Sequence, residues 1–323
     1  MTQQMMYLAI EIGGTKLQFG VGTGNGTPLV ALRQTNVVPA KGAQGICDQI
    51  EQLGTELIRD YDVVAIGIGF GGPIDSCRET VITSHQIEGW DKFPLVTWAH
   101  TTLGRPTFLG NDADMAGLGE AIFGAGQGFP VVLYSNVGSG IGGALVIDGH
   151  LYRGGSSGAQ EIGHLRPGLH AETAEETVES LASGWGMTHA VIKRLKNHSA
   201  TKDNAVAELL DYCDGNVNCL DTKMLATAMA NGNPLATDIF QTGIRAYGWA
   251  LAQTITLTGP NVVVVGGGVA LIGDELYLDP LRREIERDVV PPRYGTSQIK
   301  AAELGVEVVL HGSLALAKEQ GSV

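Results

Sequence analysis

Two stretches of the chain share one order of apolar and polar positions. In the first, residues 7–12 are mainly apolar, residues 13–16 read Gly-Gly-Thr-Lys, and apolar positions alternate again over 17–21. In the second, residues 131–136, which begin with an apolar run, and the apolar residues 144–147 flank a glycine-rich segment. Each order predicts a strand, a tight turn and a returning strand, which is a β-hairpin and not a strand that leads into a helix.

The other periodic segments predict helices that alternate with short buried strands. Helical spacing of apolar residues occurs at Ile46–Tyr61, Pro94–Leu103, Ala113–Phe123, Thr177–Lys196, Ala205–Tyr212, Pro234–Thr258, Pro280–Val289 and Gly312–Lys318. Short apolar runs predict strands at Val63–Ile68, Thr107–Leu109, Val262–Val265 and Glu307–Val309. Hairpins give antiparallel neighbours and crossovers give parallel ones, so we expect mixed sheets. Because each half opens with a hairpin, the sequence predicts an α/β fold of two similar lobes with a cleft between them.

Composition favours an ordinary globular protein with two domains. The chain has 323 residues and 46 glycines, and the clustering of these glycines implies repeated tight turns. A formal net charge of −13 argues against nucleic-acid binding, which needs a basic surface. We find no signal peptide or membrane span, and the four cysteines show no CxxC spacing. We therefore expect a cytoplasmic protein with no membrane partner.

Two segments match the pattern GxGxxG, Gly67-Gly69-Gly72 and Gly138-Gly140-Gly143. A dinucleotide-binding fingerprint requires a helix directly after the pattern, and neither segment is followed by a helical pattern. A hairpin turn can also hold phosphate, because consecutive backbone N–H groups form a concave anion site. Thr15 and Ser139 would each add a hydroxyl donor to the turn of one hairpin. The alternative is that these segments are tight turns without a ligand.

Five segments, taken in order, resemble the ROK family. They are EIGGTK (11–16), NDAD (111–114), GSGIGG (138–143), EIGH (161–164) and VVGGGV (264–269). The family contains ATP-dependent sugar kinases and sugar-responsive repressors with the actin-like, ribonuclease-H-like fold of two lobes. The resemblance spans residues 7 to about 317. We expect an N-terminal lobe of residues 1–116 plus 308–323, and a C-terminal lobe of residues 117–307.

The resemblance implies a role for each matched residue. Asp112 would be the catalytic base. The sugar contacts would be Gly72, Gln86, Asn111, Glu161 and His164. The ATP contacts would be Gly13, Gly14, Thr15, Lys16, Gly138, Ser139, Gly140, Gly266, Gly267 and Gly268. Glu11 would serve Mg²⁺, through water if not directly, so ATP and Mg²⁺ are the implied cosubstrate and cofactor.

These residue types suit the transfer of a phosphoryl group to a sugar hydroxyl. A carboxylate near that hydroxyl can orient it and accept its proton, and Asp112 stands between a predicted strand end and helix start. The alternative for Asp112 is that it caps the helix. Glu161 and His164 can pair with sugar hydroxyls, and a packing role is the alternative for His164. Mg²⁺ prefers oxygen ligands and water, which suits the phosphates of ATP.

Three features depart from the family pattern. The first-strand carboxylate is usually Asp, and Glu11 displaces the charge by roughly 1.5 Å, which puts the rate of reaction in question. Many members bind structural zinc through the histidine of the EIGH segment, which is His164 here, and through a CxCGxxGC cluster. In this chain the three cysteine positions of that cluster fall on His170, Glu172 and Thr177. His164, His170 and Glu172 could supply two nitrogens and an oxygen, but Thr177 is a poor fourth ligand, so we expect no structural zinc. Gln160 replaces a residue that is usually Gly.

The sequence thus predicts ATP-dependent phosphorylation of a hexose, with glucose to glucose 6-phosphate as the first choice. A kinase for an N-acetylhexosamine or another hexose is the nearest alternative. A non-catalytic sugar-binding regulator is the alternative from another class. A degenerate, catalytically weak kinase that binds sugar or nucleotide is the third alternative, and Glu11 and the missing cysteines support it. The family's repressors carry a DNA-binding helix pair before the first strand, and only about six residues precede it here, so we expect no DNA partner. Analogy with the family suggests a homodimer.

Overall fold

The structure is a computed structural model that describes residues 4–75, 77, 79–84, 86–155, 160–169, 171–197 and 204–321. The strands in these residues are β1 (Met6–Ile12), β2 (Lys16–Gly22), β3 (Ala31–Asn36), β4 (Val63–Phe70), β5 (Ile74–Asp75), β6 (Thr80–Val81), β7 (Thr107–Asn111), β8 (Val131–Val137), β9 (Ile141–Ile147), β10 (His150–Leu151), β11 (Val262–Gly266) and β12 (Gln298–Ala301). The α-helices are α1 (Gly42–Tyr61), α2 (Leu95–Leu103), α3 (Asp112–Phe123), α4 (Val178–Ala182), α5 (Gly184–Asn197), α6 (Asn204–Asp211), α7 (Thr222–Ala230), α8 (Pro234–Thr258), α9 (Asp279–Asp288) and α10 (Val308–Gly321).

Most of these strands belong to two five-stranded sheets. The first sheet has the order β3-β2-β1-β4-β7, in which β1 pairs antiparallel with β2 and parallel with β4. The second has the order β10-β9-β8-β11-β12, with an antiparallel pair β10–β9 and a parallel pair β11–β12. Both sheets are mixed, and the predicted α/β class is confirmed. The first predicted hairpin is confirmed as well, since β2 returns along β1.

The chain divides into two compact units. The first comprises Met1–Tyr134, Ala144–Ala159 and Ala302–Val323, and the second comprises Ser135–Gly143 and Gln160–Ala301. The lobe boundaries at residues 116 and 307 stay a prediction. Among the described residues, no helix combines the length and the apolar character that a membrane crossing requires.

The sheet of the first unit carries helices on both faces. Leu8 and Ile10 of β1 pack into a core with α1 and α2, whereas Tyr7 and Ala9 of the same strand pack against α10. Because alternate residues of a strand point to opposite faces, both sets must be apolar, which explains the apolar run seen in the sequence.

Helix packing explains the glycines of the first GxGxxG segment. Gly67 and Gly69 lie within β4, and side chains at these positions would overlap the Ser313 carbonyl oxygen and the Val309 side chain of α10. Glycine therefore allows α10 to lie close against the sheet. The pattern has a packing cause, and no helix follows it that could receive a pyrophosphate.

Helix α8 organises the second unit. It packs against α4, α7 and α9, and its bounds agree with the sequence prediction. Asn233 accepts the N–H of Ala236 and caps the helix start, Pro234 occupies the first turn, and Gly259 ends the helix at φ 59°. These are the signals by which helices begin and end.

Two predicted elements were wrong. No strand forms at Glu307–Val309, because a 3₁₀ turn covers Gly305–Glu307 and α10 begins at Val308. Leu310 and Leu314 of that helix are buried at helical spacing, while the strand preceding it is β12, a partly exposed edge strand. The single helix predicted at Thr177–Lys196 is two helices, α4 and α5, which are separated by Ser183.

Candidate functional site

Asp112 lies at the junction of β7 and α3, as the sequence predicted. Asn111 is the N-cap of α3, because its Oδ1 accepts the N–H of Asp114 at 2.6 Å. Asp112 is the first residue of the helix, and its Oδ1 accepts the N–H of Ala113 at 2.9 Å. The capping role considered for Asp112 thus belongs to Asn111, and Oδ2 of Asp112 remains available to a ligand.

The carboxylate of Asp112 is accessible to solvent and is also closely surrounded by protein atoms. A side chain on Gly71 would come within 3.5 Å of Asp112 Oδ2, and the N–H of Gly71 donates to the Ile12 carbonyl oxygen at 2.8 Å. Burial raises the pKa of Asp112 above its ordinary value, and the N–H groups of Ala113 and of Asp112 itself lower it in part. A carboxyl with a raised pKa is a better proton acceptor than an ordinary one.

Glu11 is a second carboxylate in the same unit. It lies near the end of β1, and burial raises its pKa, Lys16 lowers it, and the Asp112 charge raises it. Its Oε2 atom is buried and accepts no hydrogen bond from the described residues. An unpaired buried carboxylate oxygen is costly unless a cation, a proton or water meets it. The donor set therefore fits Mg²⁺ bound directly or through a water molecule.

The turn between β1 and β2 offers backbone donors. The N–H of Gly13 donates to the Lys16 carbonyl oxygen at 3.0 Å, and the N–H of Val37 donates to the Thr15 carbonyl oxygen at 2.9 Å. These two bonds fix the turn. The N–H groups of Gly14 and Thr15 donate to no acceptor within the described part of the chain. The turn thus has the free donors that an anion site needs.

Gln86 and Gly72 also lie in the first unit. A side chain on Gly14 would overlap the amide oxygen of Gln86, so the structure brings a predicted sugar contact directly against a predicted phosphate turn. The N–H of Gly72 donates to the Phe70 carbonyl oxygen at 2.9 Å, and a side chain there would meet the Phe70 ring. Gly72 therefore serves a close packing contact whether or not a sugar binds beside it.

The turn between β8 and β9 is held by hydrogen bonds that its backbone carbonyl groups accept. The N–H of Gly138 donates to the Gly140 carbonyl oxygen at 2.9 Å within the turn. At the start of α5, the N–H of Gly184 donates to the Gly138 carbonyl oxygen at 2.8 Å, and that of Trp185 donates to the Ser139 carbonyl oxygen at 3.4 Å. The N–H groups of Ser139 and Gly140 have no acceptor among the described residues. This turn therefore also presents two free donors.

The third glycine segment, Gly266–Gly268, packs against the second hairpin. Gly267 has φ +87°, and a side chain on it would overlap the Val137 carbonyl group. The N–H of Val269 donates to the Val137 carbonyl oxygen at 3.0 Å. Because Val137 directly precedes the turn at Gly138, two predicted ATP segments are neighbours within the second unit.

Glu161 and His164 form an exposed pair in the second unit. Glu161 is the N-cap of a 3₁₀ turn at Ile162–His164, and His164 Nδ1 lies 3.1 Å from Glu161 Oε2. Gln160 has φ +67°, the left-handed conformation that favours glycine. That backbone geometry explains why Gly is usual at this position, and Gln160 adopts it at a cost in strain.

The positions considered for zinc have other roles or lie outside the described residues. Thr177 caps α4 in a reciprocal pair with Ser180, and His164 faces Glu161. His170 lies outside the described residues. Within those residues, no group of three or more His, Cys, Asp and Glu side chains is placed to hold a metal ion.

Glu179 is the residue that sequence reasoning missed. Its Oε2 accepts the N–H of Ile141 at 2.7 Å, and its Oε1 accepts the indole N–H of Trp185 at 3.1 Å. Ile141 directly follows the second glycine turn. The available signal was a carboxylate in the short segment that precedes Ser183 and Gly184, but no local pattern indicates its distant partner.

Comparisons with known proteins place the chain in a family and among solved structures of similar fold. The model of the ROK family matches residues 7–320. The chain is 31% identical over 318 residues to the glucokinase of Streptomyces coelicolor, with 97% of each chain covered. It resembles the crystal structure of a ROK family glucokinase from Streptomyces griseus in complex with glucose and AMPPNP, with a TM-score of 0.80, 32% identity, and 97% and 99% of the two chains covered. A ROK hexokinase from Thermus thermophilus gives a TM-score of 0.81 at 28% identity, with 98% and 99% covered.

Proposed function

The chain belongs to the ROK family, and from that premise we propose that it is an ATP-dependent hexose kinase that converts glucose to glucose 6-phosphate. Its fold is the actin-like fold of the ROK sugar kinases, as predicted. Sugar kinase activity is supported by a relative named glucokinase at 31% identity and by a related structure that contains glucose and AMPPNP. The choice of glucose, and the roles of individual residues, are the proposal.

The observation that carries the proposal is the environment of the Asp112 carboxylate. Asn111 caps α3 in its place, Oδ2 has no hydrogen bond to the described residues, and burial raises the pKa of the carboxyl. In the proposed reaction, the sugar hydroxyl oxygen forms a bond to the γ-phosphorus of ATP. The bond from that phosphorus to the β,γ-bridging oxygen breaks, ADP leaves, and the hydroxyl proton passes to Asp112 Oδ2.

The two glycine turns would bind the phosphates. Gly14 and Thr15 in one turn, and Ser139 and Gly140 in the other, have N–H groups with no acceptor in the described part of the chain. Such groups attract phosphate through short-range hydrogen bonds, which a net charge of −13 does not prevent. Hydroxyl groups of Thr15 and Ser139 add further donors.

Glu11 would hold Mg²⁺ through its unpaired Oε2 atom. When bound, Mg²⁺ neutralises charge on the β- and γ-phosphates. Burial raises the pKa of Glu11, Lys16 lowers it and the charge of Asp112 raises it, and a bound cation would favour the ionised form.

Polar groups with free hydrogen-bonding capacity would bind the sugar. Asn111 uses Oδ1 for the helix cap, which leaves its amide NH₂ group for a sugar hydroxyl. Glu161 and His164 are exposed and contact each other, so a hydroxyl can be shared between them. Gln86 stands beside Gly14 and can reach a sugar that binds there.

A coupled ADP-release assay across a panel of hexoses and N-acetylhexosamines tests the proposal, with Asp112→Asn as the control. We expect turnover to be fastest with glucose and to be lost in the variant. Faster turnover of an N-acetylhexosamine would reject glucose as the substrate. Sugar binding by calorimetry without ADP release on any sugar would reject the kinase and favour the sugar-binding regulator.

A further inference from the structure

Glu11, Gln18 and Ser313 form a polar cluster in the first unit, where each has a buried oxygen atom that makes no hydrogen bond with the described residues. We propose that Gln18 and Ser313 are positioning residues of the Mg²⁺ site and hold the water molecules through which Glu11 binds the ion. This inference rests on the proposed function, in which Glu11 binds Mg²⁺. It gives a role to two residues that the proposed function does not use.

The register of the first sheet places Glu11 between Gln18 and Gly69. Glu11 of β1 is opposite Gln18 of β2 in an antiparallel pair and opposite Gly69 of β4 in a parallel pair. Residues directly opposite each other in an antiparallel pair point to the same face of the sheet, with Cβ atoms about 4.5–5.5 Å apart. The carboxylate of Glu11 and the amide of Gln18 can therefore bind one common partner.

Helix α10 covers this face of the sheet and brings Ser313 to the same place. Ala9, which precedes Glu11 by two residues in β1 and so shares its face, belongs to one buried cluster with Leu310 of α10. A side chain on Gly69 would lie 3.2 Å from Ser313 Oγ. Ser313 thus lies over the strand position that is the neighbour of Glu11 in β4.

Burial makes the unpaired oxygens of this cluster costly. Gln18 is 2% exposed and Ser313 is fully buried. A buried amide or hydroxyl without a hydrogen bond destabilises the folded chain, and an apolar side chain of similar size would avoid that cost. Packing alone therefore does not explain the polar residues at these two positions, whereas a bound partner that hydrogen-bonds to them does.

Water molecules bound to Mg²⁺ are donors of the kind that these atoms lack. Glu11 Oε2 and Gln18 Oε1 accept hydrogen bonds, and the Ser313 hydroxyl can accept as well as donate. Mg²⁺ keeps several of its water molecules when it binds to a protein, and such water donates hydrogen bonds to nearby oxygen atoms. An anion would only add another acceptor. The cluster therefore fits a hydrated cation.

A neutral amide at position 18 suits a site that ATP phosphates must also reach. Burial raises the pKa of Glu11, Lys16 lowers it, and the charge of Asp112 raises it, so Glu11 already lies in the field of a second carboxylate. A carboxylate at position 18 would add a further buried negative charge beside them. Gln18 supplies an acceptor for the water without that charge.

The test compares the AMPPNP affinity of the full chain with and without Mg²⁺, measured by calorimetry. Gln18→Met keeps the length of the side chain and removes the acceptor. We expect it to reduce the gain in affinity due to Mg²⁺ by about tenfold, and to leave the affinity without Mg²⁺ unchanged. Gln34→Met is the matched control, because Gln34 is the exposed register partner of Gln18 on β3, and it should keep the full gain.

Ser313→Ala is the second variant, and it removes only a hydroxyl group. We expect it to reduce the gain due to Mg²⁺ as well, because that hydroxyl holds the same water. Each variant removes a buried unpaired group, so its melting temperature without Mg²⁺ should equal or exceed that of the wild type. A packing role predicts the reverse, a lower melting temperature and a full gain. A full gain in either folded variant would overturn the proposal.

Failure of the kinase proposal gives a different result. A gain due to Mg²⁺ that both variants reduce, without ADP release on any sugar, would reject the kinase and support the role of the polar cluster. A wild-type chain whose AMPPNP binding does not depend on Mg²⁺ would overturn the role of the polar cluster, whether or not ADP is released.

Discussion

Asn111 Oδ1 accepts the N–H of Asp114 at 2.6 Å, and this single bond separates two roles that the sequence could not separate. An Asp at a strand-to-helix junction is an ordinary helix cap, and Asp112 could have been only that. With the cap supplied by Asn111, the Asp112 carboxylate is not the helix cap, although its Oδ1 accepts the N–H of Ala113. Its raised pKa then has no structural benefit within α3, which is typical of a group retained for chemistry.

The first prediction concerns Asp112→Asn. Removal of a general base typically costs 10²- to 10⁴-fold in rate, and we expect a loss of kcat of about that size with little change in sugar affinity. Steady-state kinetics with ADP detection and calorimetry with the sugar measure the two effects. Asp48→Asn, an exposed change in α1, is the matched control and should keep its activity within about twofold. Retention of kcat by Asp112→Asn would show that another group accepts the proton.

Asp112→Asn should also leave the melting temperature at pH 7 unchanged or raise it. Because burial raises the folded-state pKa of Asp112, the favourable contribution of its protonated form is present at low pH and is lost as the pH rises through that pKa. At pH 7 the ionised carboxylate is therefore a cost, and a neutral amide removes it. Thermal unfolding at pH 7 and near pH 4 measures this, and a clear loss of stability at pH 7 would contradict the pKa direction.

The pH dependence of turnover is the second prediction. The acidic limb of kcat/KM should lie above the ordinary carboxyl pKa of about 3.9, because Asp112 must be ionised and burial raises its pKa. Glu11→Gln removes a neighbouring negative charge and should move that limb to lower pH. Rates from pH 4 to 8 at saturating Mg²⁺ measure the shift. A limb that stays in place would show that the two carboxylates do not interact, and a limb that moves to higher pH would show that the loss of a cation held by Glu11 outweighs the removal of its charge.

The sequence was sufficient for the elements that local signals determine. The alternation around Gly13–Lys16 predicted the β1–β2 hairpin, and Asn233, Pro234 and Gly259 mark the ends of α8. The strand predicted at Glu307–Val309 was wrong, because a short apolar run does not distinguish a strand from the first turn of a buried helix. The exposed edge strand β12 was missed, because its burial is too incomplete to give a clear pattern.

The candidate site was predictable only where its residues belong to recognisable segments. Asp112 and the glycine turns lie in such segments, whereas Glu179 acts on Ile141 across 38 positions of sequence. No periodicity or spacing indicates such a bond, because it exists only once α4 has packed beside the hairpin. Gln160 was visible as a departure from a family pattern, but its cause, a positive φ, is a property of the folded backbone.

The third prediction concerns Glu120, which is fully buried in the first unit. Its Oε1 accepts the N–H groups of Glu303 and Leu304 at 2.9 and 2.8 Å, and its Oε2 accepts that of Ala125 at 2.9 Å. Glu120→Ala would leave these groups without that acceptor and also create a cavity. We expect a loss of about 3 kcal/mol in the free energy of unfolding, measured by urea denaturation.

Glu120→Gln tests the polar part of that loss with little change in volume. Its amide oxygen can keep the bonds to Glu303 and Leu304, while its NH₂ group would face the N–H of Ala125, so we expect a loss of about 1–2 kcal/mol. Glu56→Gln, on the exposed side of α1, controls for the loss of one charge and should be neutral within about 0.5 kcal/mol. Equal stabilities of Glu120→Gln and the wild type would show that the bond from Ala125 to Glu120 is not a source of stability.

The last prediction is that Gln160→Gly stabilises the protein. Gln160 holds φ +67°, which costs a residue with a Cβ atom roughly 1–2 kcal/mol, whereas glycine adopts it freely. Glycine also gains entropy in the unfolded chain, so we expect a net gain of about 0.5–1 kcal/mol and a rise of roughly 1–3 °C in melting temperature. Gln160→Ala removes the same polar group but keeps the Cβ atom, so its melting temperature should stay near that of the wild type. Equal shifts in the two variants would show that the side chain, and not the backbone strain, sets the stability at this position. If Gln160 also fills space near the sugar, both variants should change the KM for sugar alike, because both remove the side chain.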